Sequence, residues 1–230
     1  MNIAEIRGVH RSLPNVTHRM IDTKGNDKLV VLDNIIQELN KKVNKTMIFC
    51  NTIDSCRAVA YFLDAQSTNK PCLSYHGEIN SKERSRNMEI FREDSSGDPV
   101  FMVCSDIAAR GLDIPGVDHV LMFDFPMNPI DYLHRAGRTG RMRQGGESES
   151  GRVTAIVAKR DRVLAHAIEG AIARNKPLDS LTSDKKDYQD KGKLAAIVGK
   201  RDQKDYQYSK EMDRQKDGPR ITLKRHSNKR

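Results

Sequence analysis

The sequence predicts an α/β fold built on a mostly parallel sheet with helices covering both faces. Short, continuous apolar runs alternate with segments of helical spacing along the first three quarters of the chain. Strands buried on both faces read as such runs, and parallel strands need helical crossovers between them. A second observation is positional: Asn51 and Thr52, His76 and Gly77, and Ser105 and Asp106 each follow an apolar run. In a parallel sheet these pairs share one edge, the carboxyl edge, where ligands of such folds bind. Turns also favour these residue types, so the edge position is what gives them interest.

Taken in order, Thr17 to Asp22 reads as an edge strand, and Leu29, Leu32, Ile35, Ile36 and Leu39 fall at helical spacing. The apolar run Met47 to Cys50 is the next strand, followed by a helix from about Asp54 through Leu63 and the strand Cys72 to Tyr75. A helix opening at Ser81, with Met88 and Phe91 on one side, leads to a strand over Val100 to Cys104. Val117 to Phe123 and Val153 to Ala158 complete the strands, and an amphipathic helix follows the last of them. Between these two strands, Asn128 and Pro129 supply a helix cap and a first-turn proline, so a short helix is expected to deliver His134 into a loop.

The chain has 230 residues, with 40 Lys and Arg against 31 Asp and Glu. Residues 174–230 hold 17 of the basic and 9 of the acidic side chains, which leaves the first 173 residues nearly neutral at 23 against 22. The basicity therefore belongs to the tail, which is expected to be disordered, and the partner of the domain must be read from local clusters. Cys50, Cys56, Cys72 and Cys104 lack CxxC spacing, and buried free thiols in a reducing compartment are expected rather than zinc ligands or disulfides. No apolar run is long enough to span a bilayer and no signal peptide opens the sequence, so a soluble intracellular protein without a membrane partner is expected. The heptapeptide AIVAKRD at Ala155–Asp161 recurs as AIVGKRD at Ala196–Asp202. The second copy lacks the helix that follows the first, and no further packed strand is expected there.

The most concentrated chemistry lies in HRAGRTGR, His134 to Arg141, where Gly137 and Gly140 each precede an arginine. Guanidinium groups keep their charge and match phosphate oxygens in a planar fork, so the run suggests a site for polyphosphate or a charged transition state. Four segments stand in order along the chain: IFCNT, SYHGEINSKERSR, CSDIAARGLDIPGV and YLHRAGRTGR. Together they resemble the second RecA-like domain of DEAD-box RNA helicases, over about Leu13 to Ala173. RGLD followed about 20 residues later by HRxGRxGR is the specific part of the match. The resemblance implies a RecA-like three-layer sandwich over residues 13–173, an interdomain linker remnant at 1–12 and a basic tail at 174–230.

It also implies roles. Arg138 and Arg141 match arginine fingers that reach the γ-phosphate of ATP, an effect worth roughly a thousandfold or more in phosphoryl transfer. Asp113 matches a carboxylate that contacts the nucleotide ribose, and His134 a residue at the domain interface that couples ATP to RNA. Arg135 is expected to be structural or interfacial. Asn51, Thr52, Gly77, Arg84, Ser105, Arg110 and Gly111 match or adjoin positions that contact the RNA backbone, with Arg57 a further candidate. Such contacts fix a strand without reading its bases. Local alternatives stand beside these roles: Asp113 as a turn residue, Arg84 paired with a carboxylate such as Glu78, Ser81 as a helix cap. The chain departs from the family where Ser81 replaces a usual glutamine, and in the longer stretch from Gln144 to Gly151, expected to be a surface insertion.

A G-x-x-x-x-G-K-[ST] loop and a DEAD string are both absent from the sequence. The chain is therefore read as the carboxyl half of a helicase, inactive alone as an ATPase. ATP with Mg2+ would be held mainly by an N-terminal RecA-like companion domain, and a monomer is expected. The alternative is a non-enzymatic RNA-binding, annealing or regulatory module. VHRSLPNVTHRMIDTKGNDKLVVL looks similar to plant organellar members, which allows a chloroplast or mitochondrion beside cytoplasm or nucleus.

Overall fold

A computed structural model describes residues 15–39, 43–66, 72–94, 98–109, 114, 116–140, 150–178 and 181. Among them, six strands form one sheet: β1 (Val16–Asp22), β2 (Lys45–Cys50), β3 (Cys72–Tyr75), β4 (Val100–Ser105), β5 (His119–Met122) and β6 (Gly151–Val157). Their order is β1-β6-β5-β2-β4-β3, and every neighbouring pair is parallel. All the strands therefore end at one edge. The expected edge strand is β1, paired along its whole length with β6.

Alternating side chains sort the core into two halves, as the period of two in a strand demands. Ile48, Cys50, Phe101, Val103 and Leu121 meet α1 (Lys28–Glu38) and α2 (Ile53–Ala65) on one face. Met47, Phe49, Met102, Val120 and Met122 meet α3 (Ser81–Glu93), α5 (Pro129–Ala136) and α6 (Arg162–Ala173) on the other. The result is the three-layer arrangement expected.

Three local readings need correction. Asn80 caps α3, its Oδ1 accepting from Glu83 N–H at 2.9 Å, while Ser81 is the first helical residue. Gly151 is the buried first residue of β6 and not the end of an insertion; residues 141–149 lie outside the described residues. A four-residue helix, α4 (Asp106–Ala109), follows β4 directly and has no counterpart in the expected elements. The core also takes in Leu178, which is fully buried, five residues past the expected end of the domain at 173. Expectations for the linker at 1–12 and for the tail beyond 181 concern residues outside those described.

Candidate nucleotide and RNA interface

The arginine-bearing helix starts as expected. Asn128 Oδ1 accepts from Asp131 N–H at 2.8 Å, its Nδ2 donates to the Asp131 carboxylate at 2.7 Å, and Pro129 occupies the first turn. His134 is not in a loop: it stands exposed on the last turn of α5. The chain turns tightly after Ala136, with Arg138 N–H bonded to Arg135 O and Thr139 N–H to Ala136 O. Arg138 is half-buried and its Nε donates to His134 O at 3.2 Å. Thr139 anchors the turn from within, its hydroxyl donating to Val117 O at 2.5 Å. Gly140 has φ +69°, a conformation that side chains disfavour. The turn also rests against β6: a Cβ at Gly151 would stand 2.6 Å from Gly140 N and 2.7 Å from Thr139 Oγ1.

Arg135 is the largest fully buried side chain among the described residues, and its role is structural. Nε and Nη2 donate to Asp106 at 2.7 and 2.5 Å, Nη1 to Asp124 O at 2.6 Å, and Nη2 also to Asn51 Oδ1 at 2.5 Å. The guanidinium lies 5.5 Å from the Phe49 ring centroid, in a cation–π arrangement. One side chain thus ties α5 to the carboxyl ends of β2, β4 and β5. Asp106, Asp124 and the engaged side chain of Asn51 are contributors that the sequence reading did not assign. Their partners lie 11 to 84 residues away along the chain, beyond any local pattern.

Asp124 forms a second knot beside this one. Burial alone would push its carboxyl up. The Lys28 ammonium at 2.5 Å, the Asn51 N–H at 3.0 Å and the Ser55 side chain outweigh that and hold it below its ordinary value. Asn51 Nδ2 donates to Phe125 O at 2.9 Å, so both polar atoms of its side chain are bonded inside the domain. Next along the chain, exposed Thr52 caps α2, accepting from Ser55 N–H at 3.1 Å.

Of the remaining expected RNA positions, Gly77, Arg84 and Ser105 are among the described residues and lie near the same edge. His76 and Gly77 follow β3; His76 is buried with Nδ1 unbonded, and Gly77 is exposed. Burial lowers the His76 pKa, with Glu78 opposing and Arg57 adding to the shift. Glu78 pairs with Arg57 and not with Arg84; Arg84 is half-buried in the first turns of α3, with no ion pair among the described residues. Ser105 closes β4 and is half-buried. Arg110, Gly111, Asp113 and Arg141 lie outside the described residues. A shallow hollow lined by Phe49, Asp106, Asp131, His134, Arg135 and Arg138 opens beside α5. Cys50, Cys56 and Cys104 are buried free thiols, and burial pushes the half-buried Cys72 thiol up to about 12.

The model of the helicase conserved C-terminal domain matches residues 27–143. DEAD-box ATP-dependent RNA helicase 39 of Arabidopsis thaliana is 44% identical over 177 residues, which cover 76% of this chain and 27% of that protein. The chain thus spans about a quarter of the length of this relative. Among solved structures, the C-terminal domain of the DEAD-box protein Dbp5 is 27% identical with a TM-score of 0.55, over 70% of this chain and 84% of that one. Domain 2 of the DEAD-box helicase Mss116p, solved bound to an RNA duplex, is 24% identical with a TM-score of 0.56, over 71% of this chain and 61% of that one, a likeness of fold. With the RecA-like sheet and the motif order together, the chain belongs to the helicase conserved C-terminal domain family, as the C-terminal domain of a DEAD-box RNA helicase.

Proposed function

We propose that this chain is the carboxyl half of an ATP-dependent RNA helicase, supplying arginine fingers and RNA-backbone contacts for ATP hydrolysis coupled to local duplex unwinding. The observation that carries this reading is the hollow that His134 and Arg138 line together with Asp106, the residue after Ser105, while buried Arg135 ties α5 to Asp106 and to Asn51, the residue before Thr52. Arg138 is a permanently charged fork beside an exposed imidazole, a donor set that suits phosphate oxygens. When bound, ATP supplies the γ-phosphoryl group, and with Mg2+ it is held mainly by the N-terminal RecA-like companion. Arg138 and Arg141 stabilise the charge that develops on that group, Asp113 orients the ribose and His134 lies at the interface of the two domains. Thr52, Gly77, Arg84, Ser105, Arg110 and Gly111 hold the RNA backbone without reading bases. Asn51 acts through its bonds to Arg135 and Phe125, as a support for Thr52.

The test compares this chain alone with the same chain joined covalently to a companion domain that carries the phosphate loop and the DEAD string. RNA-stimulated ATP hydrolysis is expected only from the joined protein, and Arg138→Ala or Arg141→Ala should remove roughly a thousandfold of it. Robust turnover by the isolated chain would overturn this division of labour. RNA binding with no hydrolysis in the joined protein would favour the non-enzymatic module.

A further inference from the structure

We propose that Arg57 is an additional RNA-phosphate ligand, masked by Glu78 in the free domain and released to a phosphate when a strand lies between Thr52 and Gly77. The proposal rests on the RNA-binding reading given above, in which Arg57 is one candidate, and adds to it the internal competitor Glu78 and the exchange between the two partners.

Arg57 lies in the second turn of α2, the helix that Thr52 caps. Its guanidinium leaves that helix and bonds Glu78, the residue after Gly77, while its Nη1 stays 3.4 Å from Asp54. The side chain therefore joins the first turns of α2, the helix that Thr52 caps, to the loop that holds Gly77. The bridge is not a buried clamp. The Arg57 and Glu78 side chains are 58% and 49% exposed, so water screens the pair and little is lost when it opens. A phosphate offers the same guanidinium a planar, doubly bonded partner.

Gly77 leaves the approach to the pair open. It has no left-handed φ, and a Cβ built there meets no atom within 4 Å. Among the described residues nothing fills the space beside it, so the Gly77 side of the Arg57–Glu78 pair is open to an incoming strand. Below it, His76 is 4% exposed and its Nδ1 has no hydrogen-bond partner. Arg57 stands between the two carboxylates of Asp54 and Glu78, so the cluster is net acidic until one of them gives way. Glu78 is the one that shares the loop with Gly77, which makes it the competitor for an incoming phosphate.

The test uses the full 230-residue chain and a fluorescently labelled single-stranded RNA oligonucleotide, with binding followed by anisotropy over a salt series. Arg57→Gln should weaken binding about fivefold and make the slope of log K against log salt shallower by about 0.7. Glu78→Gln should tighten binding several-fold, and this gain should vanish in the Arg57→Gln background. An equal gain in that background would mean generic charge removal and would overturn the proposal. So would an unchanged affinity and slope for Arg57→Gln while Arg84→Gln weakens binding, a result that spares the RNA reading itself. No RNA binding by the wild-type chain would overturn both. Both side chains are exposed, so unchanged melting temperatures are expected for the Arg57 and Glu78 variants.

Discussion

Arg135 and Asp106 meet fork to fork, Nε to Oδ1 at 2.7 Å and Nη2 to Oδ2 at 2.5 Å, across 29 residues of chain. The guanidinium is buried and shares its remaining donors with Asp124 O and Asn51 Oδ1. Arg135→Met should therefore destabilise the domain by about 3 kcal/mol, because Asp106 and two further acceptors lose their donor together. Arg135→Lys should recover only part of this, since an ammonium cannot reproduce the fork. Urea unfolding measures both, and a loss below about 1 kcal/mol for the methionine variant would contradict the network's role.

Gly151 at the start of β6 and Gly77 after the end of β3 should respond in opposite ways. Gly151→Ala places a methyl group 2.6 Å from Gly140 N, against backbone that cannot swing aside, and should cost roughly 1–3 kcal/mol. Gly77→Ala meets open space, and stability should stay within about 0.5 kcal/mol while RNA affinity falls. Thermal melts and RNA titrations of the two variants separate a packing requirement from a ligand requirement.

Burial lowers the pKa of His119 to about 3, with Arg152 adding to the effect, and that of His18 to about 4. Their values in the unfolded chain lie near 6.5, so below that pH the unfolded chain takes protons that the folded one refuses. Stability contributed by these groups is therefore complete near neutrality and is lost as pH falls from about 6.5 towards 4. His119→Gln should reduce the slope of stability against pH by about 1.4 kcal/mol per unit within this window. Equal slopes for variant and wild type in urea titrations at pH 6 and pH 4.5 would count against the prediction.

Asn128 holds the first turn of α5 with two bonds to Asp131. Asn128→Ala should cost about 1 kcal/mol of stability. Faster amide hydrogen exchange in the first turn of α5, with little change in β2 and β4, is the expected signature.

Much of the fold was legible because its signals are local. The apolar run Cys72 to Tyr75 is β3 as observed, and the Asn128-Pro129 pair starts α5 where expected. The cap of α3 was legible too, in the Asn80-to-Glu83 spacing, yet the adjacent Ser81 competes for the same reading. Helix α4 has four residues, too few for any periodicity to register. Within the site, residue types on the carboxyl edge stood out, but their division of labour did not. Asn51 looks like Thr52 in sequence; only the fold brings Arg135 to one and leaves the other exposed. Lys28 and Asp124 are likewise joined by a chain reversal of 96 residues that no motif announces.

The contact of Gly140 with Gly151 fixes two points of the chain side by side, one at the end of the arginine turn and one at the start of β6. Whatever joins them leaves from and returns to the same spot. The entropy of closing such a loop grows only slowly with its length. The stretch after Arg141 is thus a natural port, where a fluorescent reporter or an affinity tag can be grafted without shifting the sheet on either side.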